Sequence, residues 1–314
     1  MRKNLRVGSL TAAFLILMLS CKKEQTELES ISAISEASLK ASKLKINEIM
    51  LQFSGLEDLG ANYVYEGWVL VDGAPVSTGT FMVNSEGQMS KNVFALPVPE
   101  GKVWKADKFI LTIEPYPDAD PMPAETHVLA GDFVDQVAKL SINHPAALGT
   151  NFSEAMGYYL LATPTTATMD DEDSGIWFIN NMSGMPKAGL TLPTLPNGWI
   201  YEGWSVIDGK PVSTGRFMNG NMADDAHPYS GSVMAPPFPG EDFIMNAPYG
   251  LQFPTNLRGS MAVISVEPYM DNSPKPFAIK PLAGMVPANA MVHTAYGLNH
   301  NPGSFPTGTA YKRK

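Results

Sequence analysis

Apolar and polar residues alternate over short stretches along this chain, and stretches of helical period are scarce. Tyr65-Glu-Gly-Trp68 begins one alternating stretch, Asp72-Gly73 interrupts it, and Pro75-Val-Ser-Thr-Gly79 with Phe81-Met82 resumes it. Segments rich in Tyr, Trp, Val, Thr and Phe on either side of an Asp-Gly pair predict a β-hairpin. A two-residue hairpin loop needs φ > 0, and Gly supplies it without strain. By alternation Glu66 falls on the same face as Trp68 and Leu70, which places it partly inside. Further strands are predicted over residues 45–53, 109–113 and 127–129, the second ending at Glu114-Pro115, where proline stops ladder pairing. Residues 133–142 are ambiguous between a strand and a helical turn.

The hairpin occurs twice. Tyr201-Glu-Gly-Trp204, Asp208-Gly209, Pro211-Val-Ser-Thr-Gly215 and Phe217-Met218 repeat the first copy at an offset of 136 residues without a gap. Ala95-Leu-Pro97-Val-Pro99 corresponds to Ala235-Pro-Pro237-Phe-Pro239 at offset 140. Glu114-Pro-Tyr116 corresponds to Glu267-Pro-Tyr269, and Leu129-Ala-Gly131 to Leu282-Ala-Gly284, both at offset 153. The second copy therefore carries 17 additional residues between its hairpin and its Glu-Pro-Tyr strand, as a surface loop accommodates. In that copy residues 158–162 pair with 175–179 across the acidic turn Asp170-Asp-Glu-Asp173, and residues 261–266 match 109–113. The expected fold is all-β, two tandem immunoglobulin-like β-sandwich units from an internal duplication. They span residues 43–142 and 157–285, joined by a connector at 143–156. Residues 286–314 form a Gly/Pro/Asn-rich tail ending in Lys312-Arg-Lys314, expected to be loosely ordered.

Composition changes the picture at the N-terminus. Cys21 is the only cysteine, which excludes a disulfide within the chain and a cysteine-based zinc site. Residues 1–20 carry Arg2, Lys3 and Arg6 ahead of an apolar run too short to span a bilayer, as in a signal peptide. Met18-Leu-Ser20-Cys21 resembles a bacterial lipobox, which implies a lipid on Cys21 and a mature chain that starts there. Residues 21–42 are polar and read as a tether. The formal net charge of −9 becomes −12 without residues 1–20, a poor electrostatic match for nucleic acid. The expected location is the cell envelope, lipid-anchored outside the cytoplasm and facing either the periplasm or the cell surface, with the outer membrane favoured.

The order Tyr-x-x-Trp, Asp-Gly-x-Pro-Val-Ser-x-Gly-x-Phe, apolar strand, Glu-Pro, Pro-rich loop and Leu-x-Gly resembles the extracytoplasmic C-terminal domain of anti-sigma-K factors. The resemblance covers residues 45–131 and 158–284. It implies a compact β-sandwich and a sensory or binding role. Anti-sigma factors of this kind place a sigma-binding domain and a transmembrane helix ahead of that domain, and neither is found here. Direct binding to a sigma factor is therefore not expected.

Candidate chemistry is sparse. The motif residues Glu66, Trp68, Asp72, Gly73 and Glu114 recur as Glu202, Trp204, Asp208, Gly209 and Glu267. Paired glutamates are suited to acid–base work or cation binding, but acceptance of hydrogen bonds from turn amides or hydroxyls accounts for them more simply. Trp68 and Trp204 are expected to fill the sandwich interiors. The acidic turn lacks a calcium-loop pattern, Asp224-Asp225 with His227 is a weak metal candidate, and no histidine pair has ligand spacing. Methionine abundance reads as adaptable packing. No cofactor or metal is expected. The favoured reading is a non-catalytic binding or sensing module with an extracytoplasmic protein or glycan partner. His227, Tyr229, Phe238, Phe243, Tyr249 and Phe253, interleaved with prolines in the enlarged crossover, are the expected contact residues. The alternative is a secreted carbohydrate-active or hydrolytic protein with a site within residues 219–260.

Overall fold

The computed structural model describes residues 47–99 and 101–313; the expected signal, Cys21 and the expected tether lie outside the described residues. The first hairpin forms from β-branched and aromatic residues around Asp72 and Gly73, whose φ of 52° and 80° are the two left-handed angles such a tight loop requires. The second hairpin repeats them at Asp208 and Gly209, with φ of 50° and 76°. In both, the register shifts by a bulge between glycine and tryptophan, at Gly67/Trp68 and Gly203/Trp204.

The fold is all-β. In chain order the strands of the first half are β1 (Glu48–Ser54), β2 (Tyr63–Val71), β3 (Ala74–Phe81), β4 (Val93–Ala95), β5 (Ala106–Pro115), β6 (His127–Val134) and β7 (Val137–Ser141). There follow β8 (Met156–Leu161), β9 (Gly175–Trp177), β10 (Ile179–Asn180), β11 (Lys187–Ala188), β12 (Leu190–Thr191), β13 (Trp199–Ile207) and β14 (Lys210–Phe217). The last are β15 (Gly240–Asp242), β16 (Met261–Pro268), β17 (Leu282–Met285), β18 (Tyr296–Gly297), β19 (Asn299–His300) and β20 (Thr307–Arg313).

An eight-stranded antiparallel sheet runs β3-β2-β5-β6-β7-β20-β1-β4. Its two ends meet across a common interior, because Phe81 of β3 stacks on Phe53 of β1 at 5.6 Å and lies 6.0 Å from Phe94 of β4. A five-stranded sheet, β14-β13-β16-β17-β19, repeats the order of β3-β2-β5-β6, and a second five-stranded sheet is built on β12-β8-β9-β15. Strands β8 and β9 pair across the acidic turn, as the alternation predicts.

Three expectations change. Residues 133–142 are the β6–β7 hairpin, turning at Asp135 with φ 55°. The C-terminal end is an ordered strand of the first sheet: β20 lies between β1 and β7, and Lys312 is buried, donating to the Ala106 carbonyl at 2.6 Å. Its ammonium also sits 4.3 Å from the centre of the Phe133 ring, which repays part of the cost of enclosing it. Trp68 is buried but faces away from the main core. It packs with Ile110, Ala130 and Ala147 of the connector, while Tyr65 and Val69 point into the main core. The physical reason is that β2 is covered on both faces, so alternation assigns faces without saying which one is central. One apolar core includes Tyr65, Phe94 and Phe109 from the first half and Trp199, Tyr201 and Phe277 from the second.

Candidate functional site

Each glutamate pair sits in a hydrogen-bonded network on the tryptophan face of its hairpin. In the first copy Trp68 Nε1 donates to Thr112 Oγ1 at 2.9 Å, Thr112 donates to Glu114, and the Ala124 amide donates to Glu114 at 2.9 Å. Ser77 donates to Glu66 and in turn accepts from the Gly79 amide. In the second copy Trp204 donates to Ser265 at 2.8 Å, the Phe277 amide donates to Glu267 at 2.8 Å, and Ser213 donates to Glu202. Burial raises all four carboxyl groups above the usual range. Glu202 is raised to about 7 and Glu267 to about 8, the hydroxyl and amide donors opposing the shift. Glu114 and Glu267 hold the loop that follows each Glu-Pro strand, while Glu66 and Glu202 hold a serine of the neighbouring hairpin strand. In each of the four, one carboxyl oxygen accepts from a partner that folds the chain.

The enlarged crossover is also engaged in packing. Phe243 is fully buried, with Tyr229 and Phe253 against it at 5.9 and 5.4 Å. Phe238 covers Trp177 and Leu160, and His227 lies 5.8 Å from the Trp177 ring. Only Tyr249 of the six expected contact residues stands fully exposed, so the structure does not gather them on one surface. The insertion needs a core of its own, and its aromatics supply it. Below them Asp224 and Glu241 are enclosed and raised by burial to about 7 and about 8. Asp224 Oδ1 lies 3.4 Å from His227 Nδ1, and Glu241 accepts from Ser230.

The acidic turn is cross-linked. Asp171 accepts from Thr163 and Thr168, Glu172 accepts from the Thr163 amide, and Asp173 pairs with Arg258. Among the described residues no group of three or more His, Cys, Asp or Glu side chains is arranged to hold a metal ion. Among them, too, no helix is long and apolar enough to cross a membrane.

A further polar surface lies elsewhere, although Asp58 and Asp271 on it each accept a turn amide, from Gly60 and Ser273. A cleft of about 690 Å³ opens between the two halves. Asp58, Asn62 and Tyr63 line it from the β1–β2 connection, and Asp271, Asn272 and Lys275 from the loop after β16. Tyr63 donates to the Met270 carbonyl at 3.2 Å and so ties the two walls together. Glu57, at the cleft wall, is raised to about 7, chiefly by burial and against the pull of Lys280. A smaller cavity of about 380 Å³ shares Asp58, Gly60, Tyr63 and Asn84 with it, so the two form one groove.

The sequence expectations missed this cleft. The usable signal was divergence between the copies. Asn62 and Tyr63 stand where the second copy has Gly198 and Trp199. Gly198 is packed against the backbone of Glu125 and Thr126, and Trp199 is in the core. The equivalent loops thus close in one copy and open in the other. Comparisons with protein-family models, with curated proteins and with solved structures return no match for this chain.

Proposed function

We propose that this protein is a lipid-anchored, extracytoplasmic binding module without catalytic activity, and that the cleft between its halves receives a glycan of the cell envelope. The observation that carries this reading is the composition of the cleft. Asp58, Asn62, Asp271 and Asn272 present carboxylate and amide groups on facing walls, beside the aromatic ring of Tyr63. Carboxylates and amides match the donor and acceptor pattern of sugar hydroxyls, and a tyrosine offers a flat apolar face. The lipobox-like end of the signal and the resemblance of both copies to an extracytoplasmic sensory domain support the location. Anchoring is tested by Cys21→Ala, which should move the protein from the membrane to the soluble fraction; unchanged partitioning sinks it.

Binding is tested on an array of immobilised cell-envelope oligosaccharides. Asp271→Ala and Asn272→Ala should each weaken retention about tenfold, the loss of one or two hydrogen bonds, with the melting temperature unchanged. No retention of any oligosaccharide by the unmodified protein refutes the glycan reading, and cross-linking in intact cells then identifies a protein partner. A hydrolytic reading draws on the enclosed Asp224 behind the half-exposed His227. It requires turnover of an oligosaccharide that His227→Ala abolishes.

A further inference from the structure

Methionine is ordinarily among the residues most often enclosed in a folded protein. Here the distribution is inverted. The chain has 18 methionines. Met1 and Met18 lie outside the described residues, and of the others only Met50 and Met89 are partly covered. The remaining methionines are all open to solvent, from 36% of the residue surface at Met261 to 91% at Met234. Among the described residues no methionine is buried, and the core is built from Ile, Leu, Val, Ala, Phe, Tyr and Trp. Adaptable packing therefore accounts for few of the described methionines, Met89 against the main core among them.

The exposed thioethers are spread over both halves of the chain. Met82 and Met218 are equivalent positions of the two hairpins, each exposed directly after a buried phenylalanine. Met261 and Met285 face each other across β16 and β17. We propose that these methionines form a sacrificial thioether shell that consumes two-electron oxidants of the hypohalous-acid class. The sulfur lone pair attacks the halogen of hypochlorous acid and hydroxide leaves. Water then adds to sulfur and chloride departs, so that thioether and hypochlorous acid yield sulfoxide, a proton and chloride. Sulfur loses two electrons and chlorine gains them. A sulfoxide is polar and disrupts a core, but on an exposed side chain it is hydrated and displaces nothing.

The experiment titrates the full-length protein with hypochlorous acid in the presence of a methionine-containing bystander peptide. The intact mass should rise in steps of one oxygen, and peptide mapping should find Met50 and Met89 oxidised last. The melting temperature should hold while the exposed sites fill, and the bystander should stay reduced until they have. Replacing Met169, Met182, Met185 and Met234 by leucine should keep the fold and shorten the protected interval. Oxidation of the bystander at the same dose with and without the protein overturns the proposal. So does loss of the melting transition before the exposed sites are filled, or oxidation of Met50 and Met89 in step with the rest.

Discussion

Trp204 is 2% exposed and bonded to Ser265, and Trp68 is its equivalent in the first copy. Their burial was legible, because a large aromatic on a strand between Val and Tyr is seldom left in water. Their separation from the main core was not, since nothing in alternation tells which face a second layer will cover. Trp204→Ala should cost about 3–5 kcal/mol in urea unfolding, the range for emptying a buried tryptophan site. The glutamates carry a pH signature. Glu267 rises from the ordinary 4.5 to about 8 on folding, with burial as the main cause and Glu202 and Asp271 adding to it. Lys280, on the following segment, faces the same carboxyl as a counter-charge. A raised carboxyl pKa means that folding favours the neutral acid. That stabilisation is complete below about 4.5 and is lost as pH climbs through about 8. The melting temperature should therefore fall as pH rises from about 5 to about 8.5, with Glu202, Glu241 and Asp224 contributing in the same sense. Glu267→Gln keeps an acceptor for the Phe277 amide and should flatten the slope; an unchanged profile would remove this residue from the account.

At the scale of elements, local signals were read well and distant ones were not. Both hairpins, their Asp-Gly turns and the β8–β9 pair follow from short-range alternation and turn chemistry. β20 does not. Thr307-Gly-Thr-Ala-Tyr-Lys-Arg313 is short, follows a Gly/Pro-rich stretch and ends in charge, so by itself it resembles a frayed tail. It becomes a strand because β1 and β7 leave a gap between them, and it hydrogen-bonds to both. A chain that stops at residue 305 leaves two strands unpaired at their inner edges. It should melt well below the full-length protein and expose the first half to proteolysis. Equal melting temperatures for the two forms would return β20 to the status of a tail. The packing of the crossover follows for a related reason. Aromatics between prolines suit a recognition loop, but Phe243 and Leu257 are wholly buried and Glu241 and Asp242 are enclosed beside them. Exposure depends on what the rest of the second half offers those rings, which is no property of the loop.

For the whole molecule, the apolar core passes from one half to the other and the last strand returns to the first sheet. Two cooperative units should therefore not separate. Calorimetry should show one transition whose van't Hoff and calorimetric enthalpies agree, and two resolved transitions would show that the halves fold alone. The internal repeat, the all-β class and the turn positions are written in the sequence by itself, because each depends on neighbours within about ten residues and on chemistry that every strand or turn obeys. The cleft proposed as the site was decided by the tertiary structure. Asp58 and Asp271 line one cleft although they are far apart in the chain, and the same divergence that buries Trp199 leaves Tyr63 on the cleft wall. A cleft between two copies is made by how they pack, and packing is a sum over contacts that no local pattern records.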